Sequence, residues 1–224
     1  MTGMRSSART APPSRSQGTS PTLSAQTKLA PESRRAMLRE EGARIFAERG
    51  YHGASVQEVA DAIGFTKASI YYYYKSKEEL LFDILTFADQ AITAQFATAE
   101  GSDPLARVGR LVALHVTWYL RHPTIAKVAF RDWTALTGDL LVIQTERRRR
   151  HSHTLRDSIE HCRRQGLIAF DAKVGLMTNF INGAVAASNV WYKPDGAETP
   201  EAVGDAFAQM AVAVLLGSTS FATR

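Results

Sequence analysis

The densest run of chemically capable side chains lies between Thr66 and Tyr74, which reads Thr66, Lys67, Ala68, Ser69, Ile70 and then Tyr71, Tyr72, Tyr73 and Tyr74. On a short helix, Ile70 and Tyr74 share the inner face. Thr66, Lys67, Ser69, Tyr71, Tyr72 and Tyr73 are left outward. A hydroxyl at the positive helix N-terminus, one cation and a set of phenols are what a helix docked in a DNA major groove needs: donors for phosphate, hydroxyls and rings for base edges and thymine methyls. The bland alternative is a packed three-helix bundle with surface tyrosines. Core packing alone does not account for four successive tyrosines on a short, exposed helix.

A second run is Arg147, Arg148, Arg149 and Arg150, followed by His151 and His153. On a helix the four arginines wrap one full turn. They read either as a solvated face or as an anion site, because guanidinium matches phosphate geometry. His151 and His153 are two apart and point away from each other, a poor metal pair. His115, His122 and His161 stand isolated in the sequence. Cys162 is the sole cysteine, so neither an internal disulfide nor a cysteine metal cluster is expected. It reads as a small helix residue. There is no nucleophile elbow, phosphate-binding glycine loop or His-Glu-x-x-His helix. No catalytic residue, metal or cofactor is therefore expected, and the chain reads as a non-enzyme.

The elements that must position these groups are helices. Apolar residues recur at three- and four-residue steps with helix start signals between them, and no period-2 strand pattern stands out. Pro31 and Glu32 open a first helix carrying Leu38, Ile45 and Phe46, ended at Gly50. Ser55 caps a second with Val56, Val59, Ala60 and Ile63 on one face, stopped at Gly64. Thr66 caps the third, to about Tyr74, and Ser76 caps a long fourth through Phe96. Asp103-Pro104, His122-Pro123 and Thr199-Pro200 pair a cap with a proline in the first turn. Further helices are expected at about 124–134, 138–165, 172–192 and 200–216. The fold class is all-α: an N-terminal three-helix helix-turn-helix domain joined to a larger helical domain. The spacing inside the motif supports it, with small Ala60 at the crossing, Gly64 four residues on and Ile70 six after that.

The 224 residues suffice for one large or two small domains, and the net charge of +5 fits a nucleic-acid, anionic-membrane or acidic partner. No apolar run approaches the ~20 residues of a membrane span, and the first thirty residues lack a secretory h-region. A cytoplasmic protein with no membrane partner is expected. Residues 1–31 are rich in Ser, Thr, Ala and Pro, with Arg5, Arg9, Arg15 and Lys28 and no acid before Glu32. They read as a disordered basic tail. That tail is an unstructured extension, an over-called start, or an arm adding phosphate contacts. Residues 32–78 form the expected DNA-binding domain, 79–218 the larger domain and 219–224 a short tail.

The stretch "ARIFAERGYHGASVQEVADAIGFTKASIYYYYKSKEELL", from Ala43 to Leu81, resembles the N-terminal domain of the TetR family of bacterial regulators. Ala68 stands where glycine is common and Tyr74 where phenylalanine is usual. The resemblance implies that Ser55 and Val56 touch phosphate. It makes Thr66 and Lys67 the capping and groove-entry residues, and Ala68 and Ser69 base-facing ones. Tyr71 and Tyr72 match paired aromatic positions, with Tyr73 beside them. Lys75 and Lys77 match cations at the next helix start, Lys77 being the better phosphate candidate. It also implies a homodimer on double-stranded DNA, with a pseudo-palindromic operator and usually repression.

In that family the C-terminal helices enclose an effector pocket and the last two pair across a dimer axis. Small residues Gly183, Ala184, Ala186, Ala187 and Ser188 permit close helix approach. The last helix shows a broad apolar face through Val203, Phe207, Met210, Val214 and Leu215. "WYKPDG" at residues 191–196, followed by "TPEAVGDAF", is similar to a TetR subgroup that controls lipid and steroid breakdown and responds to acyl-CoA thioesters. That likeness matches Arg147 to a basic residue near the nucleotide. Trp191 and Tyr192 read equally as a cover for the helix end and dimer seam. The expected effector pocket comprises Leu114, Trp118, Phe130, Trp133, Arg147, Met177 and Phe180, residues equally good as core. The effector is expected to be a small molecule, an acyl-CoA or another apolar or aromatic compound.

Overall fold

The computed structural model describes residues 30–99, 101, 103–168 and 173–217. The basic tail up to residue 29, the C-terminal tail 219–224 and the start expected at residue 172 lie outside these residues. Among the described residues there are nine α-helices and no strand. They are α1 (Pro31–Gly53), α2 (Val56–Ala62), α3 (Lys67–Tyr73), α4 (Lys77–Ala97), α5 (Pro104–Arg121), α6 (Pro123–Arg131), α7 (Gly138–Arg164), α8 (Val174–Trp191) and α9 (Pro200–Leu215), with a 3-10 turn at Trp133–Ala135 between α6 and α7. The all-α fold is as expected, and Pro31 opens α1 as its start signal implies.

The start signals act as caps. Ser55 and Glu58 form a reciprocal capping box at α2. Thr66 accepts from the Ser69 N–H at α3, and Ser76 from the Glu79 N–H at α4. Asp103 accepts from two N–H groups ahead of Pro104, and Thr199 from the Ala202 N–H ahead of Pro200. Each such cap satisfies an orphan donor and is worth about 1 kcal/mol. Gly50 has φ +77°, a left-handed turn that interrupts α1 and lets the chain bend into its last residues before α2.

Two cores organise the molecule. The first joins α1–α4 through Leu38, Phe46, Val59, Ile70, Leu80 and Ile84. It continues into Leu111, Trp118, Ile125, Val128 and Leu136 of the following elements. The expected division of function at residue 78 is therefore not a division of packing. The second core joins α5, α7, α8 and α9 through Val112, Val116, Leu155, Ile159, Met177, Ile181 and Leu215.

The tightest crossing is α9 on α5. A Cβ on Gly204 would meet Thr117 Oγ1 at 2.3 Å and the Ala113 carbonyl at 2.9 Å. Gly183, expected to allow close approach, meets nothing within 4 Å. Its outward face continues as Leu176, Phe180, Val190 and Trp191, all exposed. No described helix is long and apolar enough to cross a membrane.

Candidate nucleic-acid interface and ligand cavity

α2 and α3 meet at buried Ala60, whose carbonyl accepts the Phe65 N–H at 2.8 Å. Gly64 turns the chain with φ +68°. Ile70 and Tyr74 pin α3 to the core, at 0% and 1% exposure. The Tyr74 hydroxyl donates to Asp83 Oδ2 at 2.8 Å, so the tyrosine in place of phenylalanine gains a partner on α4. Burial first, then Asp83, pushes its pKa up. Thr66 Oγ1 also lies 2.8 Å from Ser69 Oγ, which ties both hydroxyls to the cap.

The outer face of α3 carries Thr66, Lys67, Ala68, Tyr71 and Tyr72, all exposed, with Ser69 and Tyr73 half-buried. Tyr72 is the most prominent at 84%. Lys67 Nζ lies 5.9 Å from the Tyr71 ring, and Tyr73 meets Tyr72 edge-on at 5.2 Å. Tyr73 is packed against the core as well, which differs from its expected outward position. A run of seven helical residues turns every face toward something, so one of the four rings must lean inward besides Tyr74.

Two further positions differ. The Val56 side chain is buried at 6%, so only its backbone is free to meet phosphate. Lys77 donates to the carbonyls of Tyr51 and Ala54 at 2.8 and 2.9 Å and lies 4.4 Å from the Tyr51 ring. These carbonyls close the end of α1 and the start of the next turn, and a cation there is an internal brace. Lys75 is exposed and is the cation left open at the start of α4. Ser55 is exposed at the α2 cap.

In the larger domain a cavity of about 360 Å³ lies between α5, α6, α7 and α8. Its walls include His115 and Tyr119 of α5, Phe130 of α6, Trp133 of the 3-10 turn, Arg148, Arg149 and His151 of α7, and Asn182 and Val185 of α8. Of the expected pocket residues only Phe130 and Trp133 are there. Trp118 and Met177 are buried in the first and second cores, and Leu114 packs against the first. Phe180 lines a different, apolar groove with Ile181, Phe207, Met210 and Val214. Arg147 turns to α4. It donates to Thr86 Oγ1 at 2.6 Å, approaches Asp89 at 3.8 Å and lies 4.9 Å over the Phe82 ring.

Sequence reasoning missed His115, Tyr119, Arg148, His151 and Asn182. The phase of α7 carried a signal for Arg148: Gln144, Leu155, Ser158, Ile159 and Cys162 are its buried residues, and Arg148 shares their side at helical spacing. The histidines are not isolated in space. Phe96 stands between them, 5.5 Å from the His115 ring and 5.7 Å from the His151 ring. His151 Nε2 lies 3.4 Å from Asp89 and 3.0 Å from Thr93 Oγ1. Burial, then His151 and Arg148, lowers the His115 pKa to about 3. Burial also lowers that of His151 against the pull of Asp89. Among the described residues no group of His, Cys, Asp and Glu is placed to hold a metal ion.

A capped, outward-facing third helix on a three-helix unit, carried by a long helix into a larger helical domain with a cavity, defines a helix-turn-helix regulator. Residues 38–84 match the family described as bacterial regulatory proteins, tetR family, and residues 101–215 match the tetracyclin repressor-like C-terminal domain. The chain belongs to the TetR family of transcriptional regulators. It is similar to the HTH-type transcriptional repressor KstR2 of Mycolicibacterium smegmatis, 28% identical over 87% of this chain and 95% of that protein. The solved structure of the ketosteroid transcriptional regulator KstR2 of Mycobacterium tuberculosis is 26% identical, with a TM-score of 0.75 over 84% of this chain and 96% of that one. The structure of AibR in complex with isovaleryl coenzyme A and operator DNA is 26% identical, with a TM-score of 0.73 over 82% of this chain and 98% of that one.

Proposed function

We propose that the chain is a homodimeric, effector-controlled repressor that binds a pseudo-palindromic operator in the cytoplasm. Residues 32–78 serve DNA binding and residues 79–218 effector binding and dimerisation. The observation that carries the DNA reading is the outer face of α3. Lys67, Ala68, Tyr71 and Tyr72 project together while Ile70 and Tyr74 hold the helix down. Thr66, Ser69 and the edge of Tyr73 complete the surface, and Ser55, the Val56 backbone and Lys75 flank it for phosphate.

Dimerisation rests on the apolar surface of α8 and α9. Phe180, Met210 and Trp191 are 64%, 54% and 52% exposed, and Trp191 stacks on Phe207 at 6.1 Å. A contiguous apolar face of this kind is a partner surface, and two copies related by a two-fold axis would place two α3 helices in successive major grooves. The cavity supports a small-molecule effector. The isovaleryl coenzyme A bound by the similar regulator AibR favours an acyl-CoA. Such an effector acts by preferring the state in which the two α3 helices are misaligned.

The test is selection of bound duplexes from a random pool followed by gel-shift titration. The expected result is an inverted repeat bound by the wild type and lost in the Lys67→Ala, Tyr72→Ala double variant. Full binding by that variant rejects the assignment.

A further inference from the structure

Arg148 faces the cavity with few partners. Its Nη1 donates to the Ala129 carbonyl at 3.3 Å and its guanidinium lies 4.5 Å over the Trp133 ring. Among the described residues no carboxylate pairs with it, and Asp89 of α4 is held by Arg147 and His151. A guanidinium has five donors in a fixed fork, so most of its capacity is unspent on the protein. Burial lowers its pKa, the cost of holding a charge away from water without a counter-ion.

Across the cavity, Nε2 of His115 is buried without a hydrogen-bond partner. Its ring lies between Phe96 and Tyr119, at 5.5 and 4.5 Å. Buried polar groups are ordinarily satisfied. Here a cation with one hydrogen bond and no counter-ion, and an imidazole nitrogen with no partner, line the same cavity from α7 and α5.

We propose that the part of the effector buried in this cavity is oxygenated, with an acceptor oxygen held by Arg148 and a second polar oxygen toward His115, so that a plain saturated acyl chain is discriminated against. This rests on the reading of the cavity as the effector site and names the chemistry that site selects. The acceptor oxygen comes from a ring or chain carbonyl or from a carboxylate; both suit the guanidinium fork. An aliphatic segment accounts for the remaining wall, through Phe130 and Val185.

The experiment measures binding of octanoyl-CoA, 7-oxooctanoyl-CoA and octanoate by calorimetry, with operator release followed by gel shift. It uses the wild type, Arg148→Met, Arg148→Lys, His115→Phe and Arg147→Met, each checked for folding by its thermal melt. The wild type is expected to bind the oxo thioester about ten- to a hundredfold tighter than octanoyl-CoA, as hydrogen bonds to a charged group allow. Arg148→Met removes that preference, read as the ratio of the two affinities. Arg148→Lys, which keeps the charge without the fork, retains part of it. His115→Phe reduces it, and Arg147→Met does not alter it. Arg148-dependent binding of octanoate identifies a carboxylate as the acceptor; its absence, with the preference intact, identifies a carbonyl. If octanoyl-CoA binds and releases DNA but neither oxygenated probe depends on Arg148, this inference falls and the acyl-CoA reading stands. If no probe binds the wild type, both fall.

Discussion

The guanidinium of Arg131 donates from Nη2 to the carbonyl of Phe46 at 2.5 Å. Its Nη1 reaches the next carbonyl, of Ala47, at 3.4 Å. Gly50 interrupts the α1 ladder just beyond, and carbonyls at a helix break need donors from elsewhere. Arg131 belongs to α6, so the bond ties the ligand-cavity half to the DNA-binding half. Its remaining donors go to Asp132, which is buried.

Arg131→Ala is accordingly expected to lower stability by about 1–2 kcal/mol, the loss of charge-assisted bonds at a partly exposed site. Arg131→Lys restores only part of it, since one ammonium cannot reach Phe46, Ala47 and Asp132 together. Urea unfolding measures this; an unchanged midpoint in the alanine variant would contradict the bracing role.

Lys67 and Lys77 are expected to behave oppositely. Lys67→Ala weakens operator binding and reduces the salt slope by about one. Lys77→Ala lowers the melting temperature, because the Tyr51 and Ala54 carbonyls lose their donor, and leaves the slope unchanged. Titrations at four salt concentrations separate the two, and a slope change in Lys77→Ala would restore it to the phosphate-contacting set.

The tyrosine run divides in the same way. Tyr72→Ala affects DNA affinity and leaves stability within about 0.5 kcal/mol, as for an exposed site. Tyr74→Phe costs about 1 kcal/mol through the lost bond to Asp83, and Tyr74→Ala about 3–5 kcal/mol through the cavity left in the core. Equal stability of the three variants by denaturant unfolding would refute this division.

Stability is expected to fall as the pH drops below about 6.5. Folded His115 stays neutral until a pH of about 3, whereas the unfolded chain takes up a proton near 6.5. Between those values the unfolded state binds more protons, so acidification favours it by up to about 1.4 kcal/mol per pH unit for this site. His151 and His122, both with lowered pKa, add to the same direction. The difference in unfolding free energy between pH 7 and pH 5 should therefore shrink in His115→Phe. An identical pH dependence in the two proteins would show that His115 takes up its proton equally in the folded and unfolded chain, and would contradict this.

Phe180→Asp combined with Met210→Asp is expected to yield a folded monomer that binds operator weakly. Light scattering reads the mass and circular dichroism the fold. A dimer of wild-type affinity would place the partner surface elsewhere.

The DNA side was legible because its signals are local. Ser55, Thr66 and Ser76 cap helices through their own neighbours, Gly64 supplies a positive φ, and Ile70 and Tyr74 fix the phase of α3 by spacing alone. The cavity was less legible. Leu114, Trp118 and Met177 are apolar residues on inward faces, and inwardness does not distinguish a pocket wall from a packed core. Phe180 is apolar on an outward face and lines a groove apart from the cavity.

The sequence by itself determined the helices, the order of the two halves and the outward face of α3, because caps, turns and apolar periods act within a few residues along the chain. The tertiary structure alone decided which arginine of the run turns to the cavity, and that Lys77 is held by backbone carbonyls while Lys75 stays exposed. Adjacent residues on a helix diverge by about 100°, and a run of four identical side chains carries no phase of its own. Only the packing of α7 against α4, α5 and α8 sends Arg147 to Thr86 and turns Arg148 into the cavity. Only the bend at Gly50 brings the Tyr51 carbonyl within reach of Lys77.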